Sequence, residues 1–142
     1  SQIISTDISN KTLDIARHNA NKYDINNISF INDDCFNYSL MDSKFDLLVS
    51  NPPYISQVLY DKLDHHILDF EPKIALSDNK DGLSFYKIFA KMAKSVMNKN
   101  SCMIFEFGGN AQLHDIEIIF SDYNFDIYND LQGDPRVIKI IL

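Results

Sequence analysis

The 142-residue chain has no tryptophan, two cysteines, four glycines and four prolines, and its thirteen Lys and Arg are outnumbered by twenty Asp and Glu. Each scarcity excludes something. Cys35 and Cys102 form neither a disulfide framework nor the spacing of a metal site, which points to a reducing, cytoplasmic compartment. A net charge of −7 is poorly suited to gripping a phosphate backbone, so direct nucleic-acid binding is not expected. No apolar run reaches the length of a membrane span, and no basic-then-apolar signal opens the chain, so no membrane partner is expected either. No phosphate-cradling P-loop occurs and no Ser/His/Asp or Cys/His set assembles. His65-His66 have no partner ligands at metal spacing and read as solvated surface, so no metal is expected. What is present, 45% hydrophobic and 23% charged residues, is the composition of one folded domain rather than of a disordered segment.

The hydrophobic pattern alternates between strand and helix. Residues 2–6 are a short β-branched strand, and Ser9 is a candidate N-cap for a helix with Leu13, Ala16, Ala20 and Tyr23 on one face. Strands follow at residues 28–31 and 45–50. In the second of these Leu47, Leu48 and Val49 are consecutive, which predicts cover on both faces, as in a parallel sheet under helices. Residues 56–68 are weakly helical. Asp81-Gly82 opens a strong helix with Leu83, Tyr86, Phe89, Ala93 and Val96 as its core stripe. A strand at residues 101–107, a helix marked by Leu113, Ile116 and Phe120, and strands at 125–128 and 137–142 complete the order. The class is α/β with a mainly parallel sheet.

In such sheets ligands bind beyond the carboxyl ends of the strands. There stand Asp7, then Asp33-Asp34, then Asn51-Pro52-Pro53-Tyr54, then Glu106 with Gly108-Gly109, all on one edge if the sheet is parallel. Asp7 suits a ribose, whose two hydroxyls can donate to it, and equally suits an extra cap on the helix that follows. Asp34 can accept from the exocyclic amino group of adenine, with Cys35-Phe36 flanking the flat base; the alternative is a solvated loop pair. The Asn-Pro-Pro-Tyr corner is more specific, its plain alternative being a proline turn that ends a strand. Two prolines fix φ and donate nothing, leaving a stiff frame rich in oxygen acceptors. The nitrogen of a planar –NH2 group is a poor nucleophile because its lone pair is delocalised. The Asn51 side-chain oxygen and the Pro52 carbonyl could hold its two hydrogens and favour pyramidalisation, with the Tyr54 ring as a flat surface beside it.

With those residues the chain resembles the catalytic domain of class I S-adenosylmethionine-dependent methyltransferases, and more narrowly the release-factor glutamine-N5 methyltransferases. The matching stretches are TDIS, ARHNA, NDDCF, VSNPPYI, DFEPKIAL, DGLSFYKI, FEFGGNA and GDPRV, in order along the whole chain. NPPY alone is shared with enzymes that methylate adenine or guanine amino groups; Phe70-Glu71-Pro72 followed by Asp81-Gly82-Leu83 narrows the resemblance to the glutamine family. It implies a Rossmann-like fold with an antiparallel C-terminal strand and S-adenosyl-L-methionine as cofactor. It also implies methylation of the glutamine in the Gly-Gly-Gln motif of a peptide-chain release factor. Asp7, Asp34, Cys35, Phe36 and Asn51 would bind cofactor. Asn51, Pro52, Pro53, Tyr54 and Glu71 would bind substrate, with Asn51, Pro52 and Tyr54 acting in catalysis. Where the family often places an aromatic residue after the adenine-contacting Asp this chain has Cys35, so stacking would fall to Phe36. The family's first strand, its glycine-rich turn and its amino-terminal helical domain have no counterpart in residues 1–142. These residues are therefore expected to be the C-terminal part of a catalytic domain, incomplete at the N-terminus and inactive alone. The alternatives are a nucleic-acid amino-methyltransferase using the same corner and a noncatalytic methyltransferase-like module.

Overall fold

Ser9 begins the first helix as expected: its hydroxyl accepts from the backbone N–H of Thr12 at 3.3 Å, satisfying one of the donors that a helix start leaves unpaired. In this computed structural model, residues 1–37 and 43–142 are described, and the chain divides into two compact units, Ser1–Asp42 and Ser43–Leu142.

The first unit is a β-α-β element. Strand β1 (Ile3–Asp7), helix α1 (Asn10–Lys22) and strand β2 (Ile28–Asn32) bring the two strands into parallel register, Ile3 opposite Ile28 and Asp7 opposite Asn32. Leu13 and Ala20 of α1 are buried, whereas Tyr23 is 68% exposed. Tyr23 is the C-cap, and Asp24 beyond it takes a left-handed φ of 55°, so the helical face ends one residue before the sequence pattern does.

The second unit is a four-stranded sheet with helices. Strand β3 (Phe45–Ser50) is followed by three single turns, α2 (Gln57–Tyr60), α3 (His65–Leu68) and α4 (Lys73–Leu76). Helix α5 (Ser84–Val96), strand β4 (Met97–Glu106), helix α6 (Asn110–Ile119) and strands β5 (Asn124–Asn129) and β6 (Pro135–Ile141) complete it. The strand order is β3-β4-β6-β5. β3 and β4 are parallel, while β6 runs antiparallel to both β4 and β5. The antiparallel C-terminal strand is thus present, and the sheets as a whole are mixed.

The α5 stripe is buried as the spacing requires. Tyr86 and Ala93 are fully enclosed, and Leu83, Phe89 and Val96 nearly so. Alternation along β4, continued one residue past its end, buries Met103, Phe105 and Phe107, and Phe105 stacks on Phe89 at 4.6 Å between centroids and on Phe120 at 6.0 Å. Ile138 and Ile140 of β6 complete this core. β3 departs from expectation: Leu47 is 52% and Val49 66% exposed. Among the described residues β3 pairs only with β4, and Leu47 and Val49, two apart in the strand, share one face that stays exposed. His65 and His66 lie exposed at the start of α3. Among the described residues no group of three or more metal-type ligands gathers, and no helix is long and apolar enough to cross a membrane.

Candidate functional site

Each unit brings two strand ends together. In the second, parallel pairing of Ser50 with Phe105 sets Asn51 beside the end of β4 at Glu106. Pro52 is buried and anchors the corner, Pro53 and Tyr54 are half-buried, and Asn51 is exposed. Among the described residues the Asn51 side chain has no hydrogen-bond partner, so its oxygen is free to accept from a ligand. The far end of the corner is pinned. The Tyr54 hydroxyl donates to Glu106 Oε1 at 3.2 Å, the Tyr54 carbonyl accepts from Gln112 Nε2 at 2.9 Å, and Ile55 N–H donates to the Leu76 carbonyl at 2.9 Å. Burial, then the charge of Glu106 and the hydrogen bond to it, push the Tyr54 phenol above its ordinary pKa. The Arg136 guanidinium opposes them only partly. Tyr54 therefore stays a protonated donor and its ring keeps one orientation.

Under the corner, Tyr86 donates to the Glu106 carbonyl at 2.7 Å, and its burial drives that phenol strongly upward, so the contact is permanent at ordinary pH. The entry to α5 is capped from upstream. Asp78 accepts from Lys80, Gly82 and Ser84 N–H groups at 2.8, 2.9 and 3.1 Å, and Asp81 accepts from Leu83 N–H at 3.0 Å. Burial alone would raise the Asp78 carboxyl. The hydrogen bonds from Ser84, Lys80 and Gly82 outweigh it and hold the group below the usual carboxylate range.

Glu71 is exposed; its backbone N–H donates to the Ile67 carbonyl at 2.9 Å, and its side chain has no hydrogen-bond partner among the described residues. Its segment nevertheless leads into α4, which returns to the corner through the Leu76–Ile55 bond.

In the first unit, Asp7 Oδ1 accepts from Ser9 N–H at 2.7 Å, the extra helix cap that the sequence allowed, while Asp7 stays half-buried at the strand end. The Asp7 carbonyl accepts from Asp33 N–H at 3.2 Å and from Asn32 Nδ2 at 3.0 Å, which ties the two strand ends together. Ile8, Asn32, Asp33, Asp34 and Asn37 line a cavity of about 380 Å³ there, within the range of small-molecule sites. Asp34 is thus on its wall. Asp34 Oδ1 also accepts from Phe36 N–H at 3.0 Å, folding the chain so that Cys35 is half-buried and Phe36 is 41% exposed. Burial, reinforced by the charges of Asp34 and Asp33, raises the Cys35 thiol to about 11, so it acts as a small apolar group and not as a nucleophile. The cavity wall is mostly polar, with the Asp34 carboxylate on it and Ile8 as its apolar member.

Sequence reasoning passed over Gln112, Asp78 and Arg136. Asp78 was accessible from the Asp/Ser-rich run ahead of α5. Arg136, which donates to the Phe107 carbonyl at 3.3 Å and pairs with Asp130 at 3.6 Å, lies within the GDPRV stretch but was given no role there.

The fold is that of the Rossmann-like α/β class. The chain belongs to the methyltransferase domain family, whose model matches residues 1–117. It is 38% identical over 141 residues to a release factor glutamine methyltransferase of Fusobacterium nucleatum, covering 97% of this chain and 40% of that protein. It is 40% identical over 142 residues to a bifunctional methyltransferase of Rickettsia prowazekii, covering 97% of this chain and 27% of that protein. Among solved structures, a Streptococcus mutans protein in complex with SAH superposes with a TM-score of 0.62 at 11% identity, covering 99% of this chain and 75% of that one. The chain therefore spans well under half the length of these curated relatives.

Proposed function

We propose that residues 1–142 are the C-terminal part of a catalytic domain in a protein that methylates the side-chain amide nitrogen of glutamine in a peptide-chain release factor. The observation that carries this is the Asn51 side chain: exposed, unpartnered among the described residues, and mounted on a two-proline corner at the carboxyl end of β3. Two relatives at 34–38% identity are release factor glutamine methyltransferases, which supports the choice of substrate.

S-adenosyl-L-methionine, when bound, supplies an activated methyl group. This chain's residues do the positioning. Asn51 Oδ1 and the Pro52 carbonyl accept from the two hydrogens of the glutamine –NH2, fixing the nitrogen and localising its lone pair for attack. Tyr54, its ring oriented by Glu106, offers a face to the planar amide, and Pro53 keeps the two acceptors at fixed separation. The amide nitrogen would gain one N–C bond as the sulfur–methyl bond breaks, with S-adenosylhomocysteine as the leaving group, and would release one proton to solvent. Asp34, in the cavity of the first unit, would hold the adenine amino group, and Asp7 the ribose, with Cys35 and Phe36 beside the base. Glu71 would border the substrate on the segment that returns to the corner.

The test is label transfer. The full-length protein is incubated with methyl-labelled cofactor and, separately, release factor, RNA and DNA. Label in the glutamine side chain of the release factor is expected; label appearing only in nucleic acid would transfer the corner to base-amino chemistry.

A further inference from the structure

We infer that Gln112 is a positioning residue that sets the geometry of the Asn51–Tyr54 corner by clasping three separate segments through one side-chain amide. Gln112 lies in the first turn of α6. Its Nε2 donates to the Tyr54 carbonyl at 2.9 Å and to the Gly82 carbonyl at 3.4 Å, and its Oε1 accepts from Gly108 N–H at 2.8 Å. Two carbonyls on one side and an N–H on the other admit a single amide orientation, so the clasp has a defined sense.

The surroundings are shaped for it. A Cβ on Gly108 would stand 2.6 Å from Gln112 Oε1, and one on Gly82 would stand 2.8 Å from Gln112 Nε2 and 2.2 Å from the Tyr54 oxygen. Both glycines therefore admit a side chain reaching in from a helix that begins two residues after Gly108. The consequence falls on Asn51. Its side chain having no hydrogen bond among the described residues, Asn51 is located by the backbone on either side, the end of β3 before it and the corner after it. Pro52 and Pro53 transmit that backbone stiffly to Tyr54. Tyr54 is held at its hydroxyl by Glu106 and at its carbonyl by Gln112. Gln112 thus acts on the acceptor pair at a distance, through Tyr54, and need not touch a ligand.

The role rests on the amide-binding reading of Asn51, but it has a readout that does not. Gln112→Glu keeps an acceptor for Gly108 N–H while placing a carboxylate oxygen against the Tyr54 and Gly82 carbonyls; Gln112→Met removes every hydrogen bond without adding charge. Both are made in the full-length protein, alone and with Asn51→Ala. In ¹⁵N NMR spectra without ligand, Gln112→Glu is expected to shift the Asn51 side-chain amide and the Gly108 amide and to leave the Ile138 and Ile140 amides in place. In turnover, a displacement of the acceptors near 1 Å would lower kcat by roughly tenfold to a hundredfold. Cofactor affinity should stay unchanged, and the loss should be much smaller once Asn51 is already Ala. An Asn51 amide signal unmoved in both Gln112 variants would overturn the clasp, whatever the activity. Losses that simply add to that of Asn51→Ala would overturn it too. If Asn51→Ala itself keeps full turnover while Gln112→Glu still shifts the Asn51 signal, the amide-binding reading fails and the clasp stands.

Discussion

Replacing Gly82 by Ala tests the joint between α5 and the corner. Gly82 has a φ of +81°, and a left-handed backbone costs an L residue about 1–2 kcal/mol. The new Cβ would lie 2.2 Å from the Tyr54 carbonyl oxygen and 3.0 Å from its carbon, where nonbonded atoms rest at roughly 3.5 Å. Both are backbone atoms, so the corner itself must move and the 2.9 Å bond from Gln112 must break. Leaving that half-buried donor and acceptor unsatisfied adds about 1–3 kcal/mol, for a total of about 2–5 kcal/mol. Gly133 is the internal control. Its φ is +94°, yet a Cβ there meets nothing within 4 Å, so Gly133→Ala should cost only the backbone contribution, about 1–2 kcal/mol. Urea unfolding of the full-length parent and the two variants separates the contributions through their midpoints at constant m. Equal destabilisation by the two substitutions would refute the reasoning, because it would mean that Tyr54 is not held where the contact places it.

Three further predictions concern titration and binding. Because the Tyr54 phenol is raised when folded, the stability it contributes is intact below the unfolded value of 10.0 and is lost as pH rises through the folded value. Subtracting the pH–stability curve of Tyr54→Phe from that of the parent should therefore show a decline confined to pH above about 10; a flat difference would contradict the assignment. With its thiol near 11, Cys35 is ionised to roughly one part in a thousand at pH 8. Mass spectrometry after brief iodoacetamide treatment should find it unmodified, and rapid alkylation would argue against its burial beside Asp33 and Asp34. Asp7→Ala should weaken cofactor binding before it alters turnover at saturation. Isothermal titration showing unchanged affinity would reduce Asp7 to its bond with Ser9.

How much of this was legible in the sequence depends on how local each cause is. The α5 stripe and the strand at Phe45–Ser50 appear where the pattern placed them, because burial at helical or strand period is written into neighbouring residues. The Asn-Pro-Pro-Tyr corner was legible for the same reason: proline fixes φ regardless of tertiary context. Residues 56–68 were less so. The expected weak helix is two separate single turns, α2 and α3, with Val58, Leu59 and Ile67 left exposed, so no apolar stripe organises it, and the third turn, α4, lies beyond the expected range. Leu47 and Val49 misled because three consecutive apolar residues imply two covered faces, and cover depends on the rest of the sheet. Gln112 was invisible for a different reason. Its partners Tyr54 and Gly82 lie 58 and 30 residues away, and backbone carbonyls leave no trace in residue type.

The most direct measurement compares Asn51→Ala with the parent in the full-length protein, recording cofactor affinity by calorimetry and methyl transfer to a glutamine side chain under saturating cofactor. An acceptor lost from a site that binds –NH2 should leave affinity within about twofold and reduce turnover by roughly 10²-fold or more. Equal turnover in the two proteins would mean that the oxygen at position 51 does not hold the reacting nitrogen.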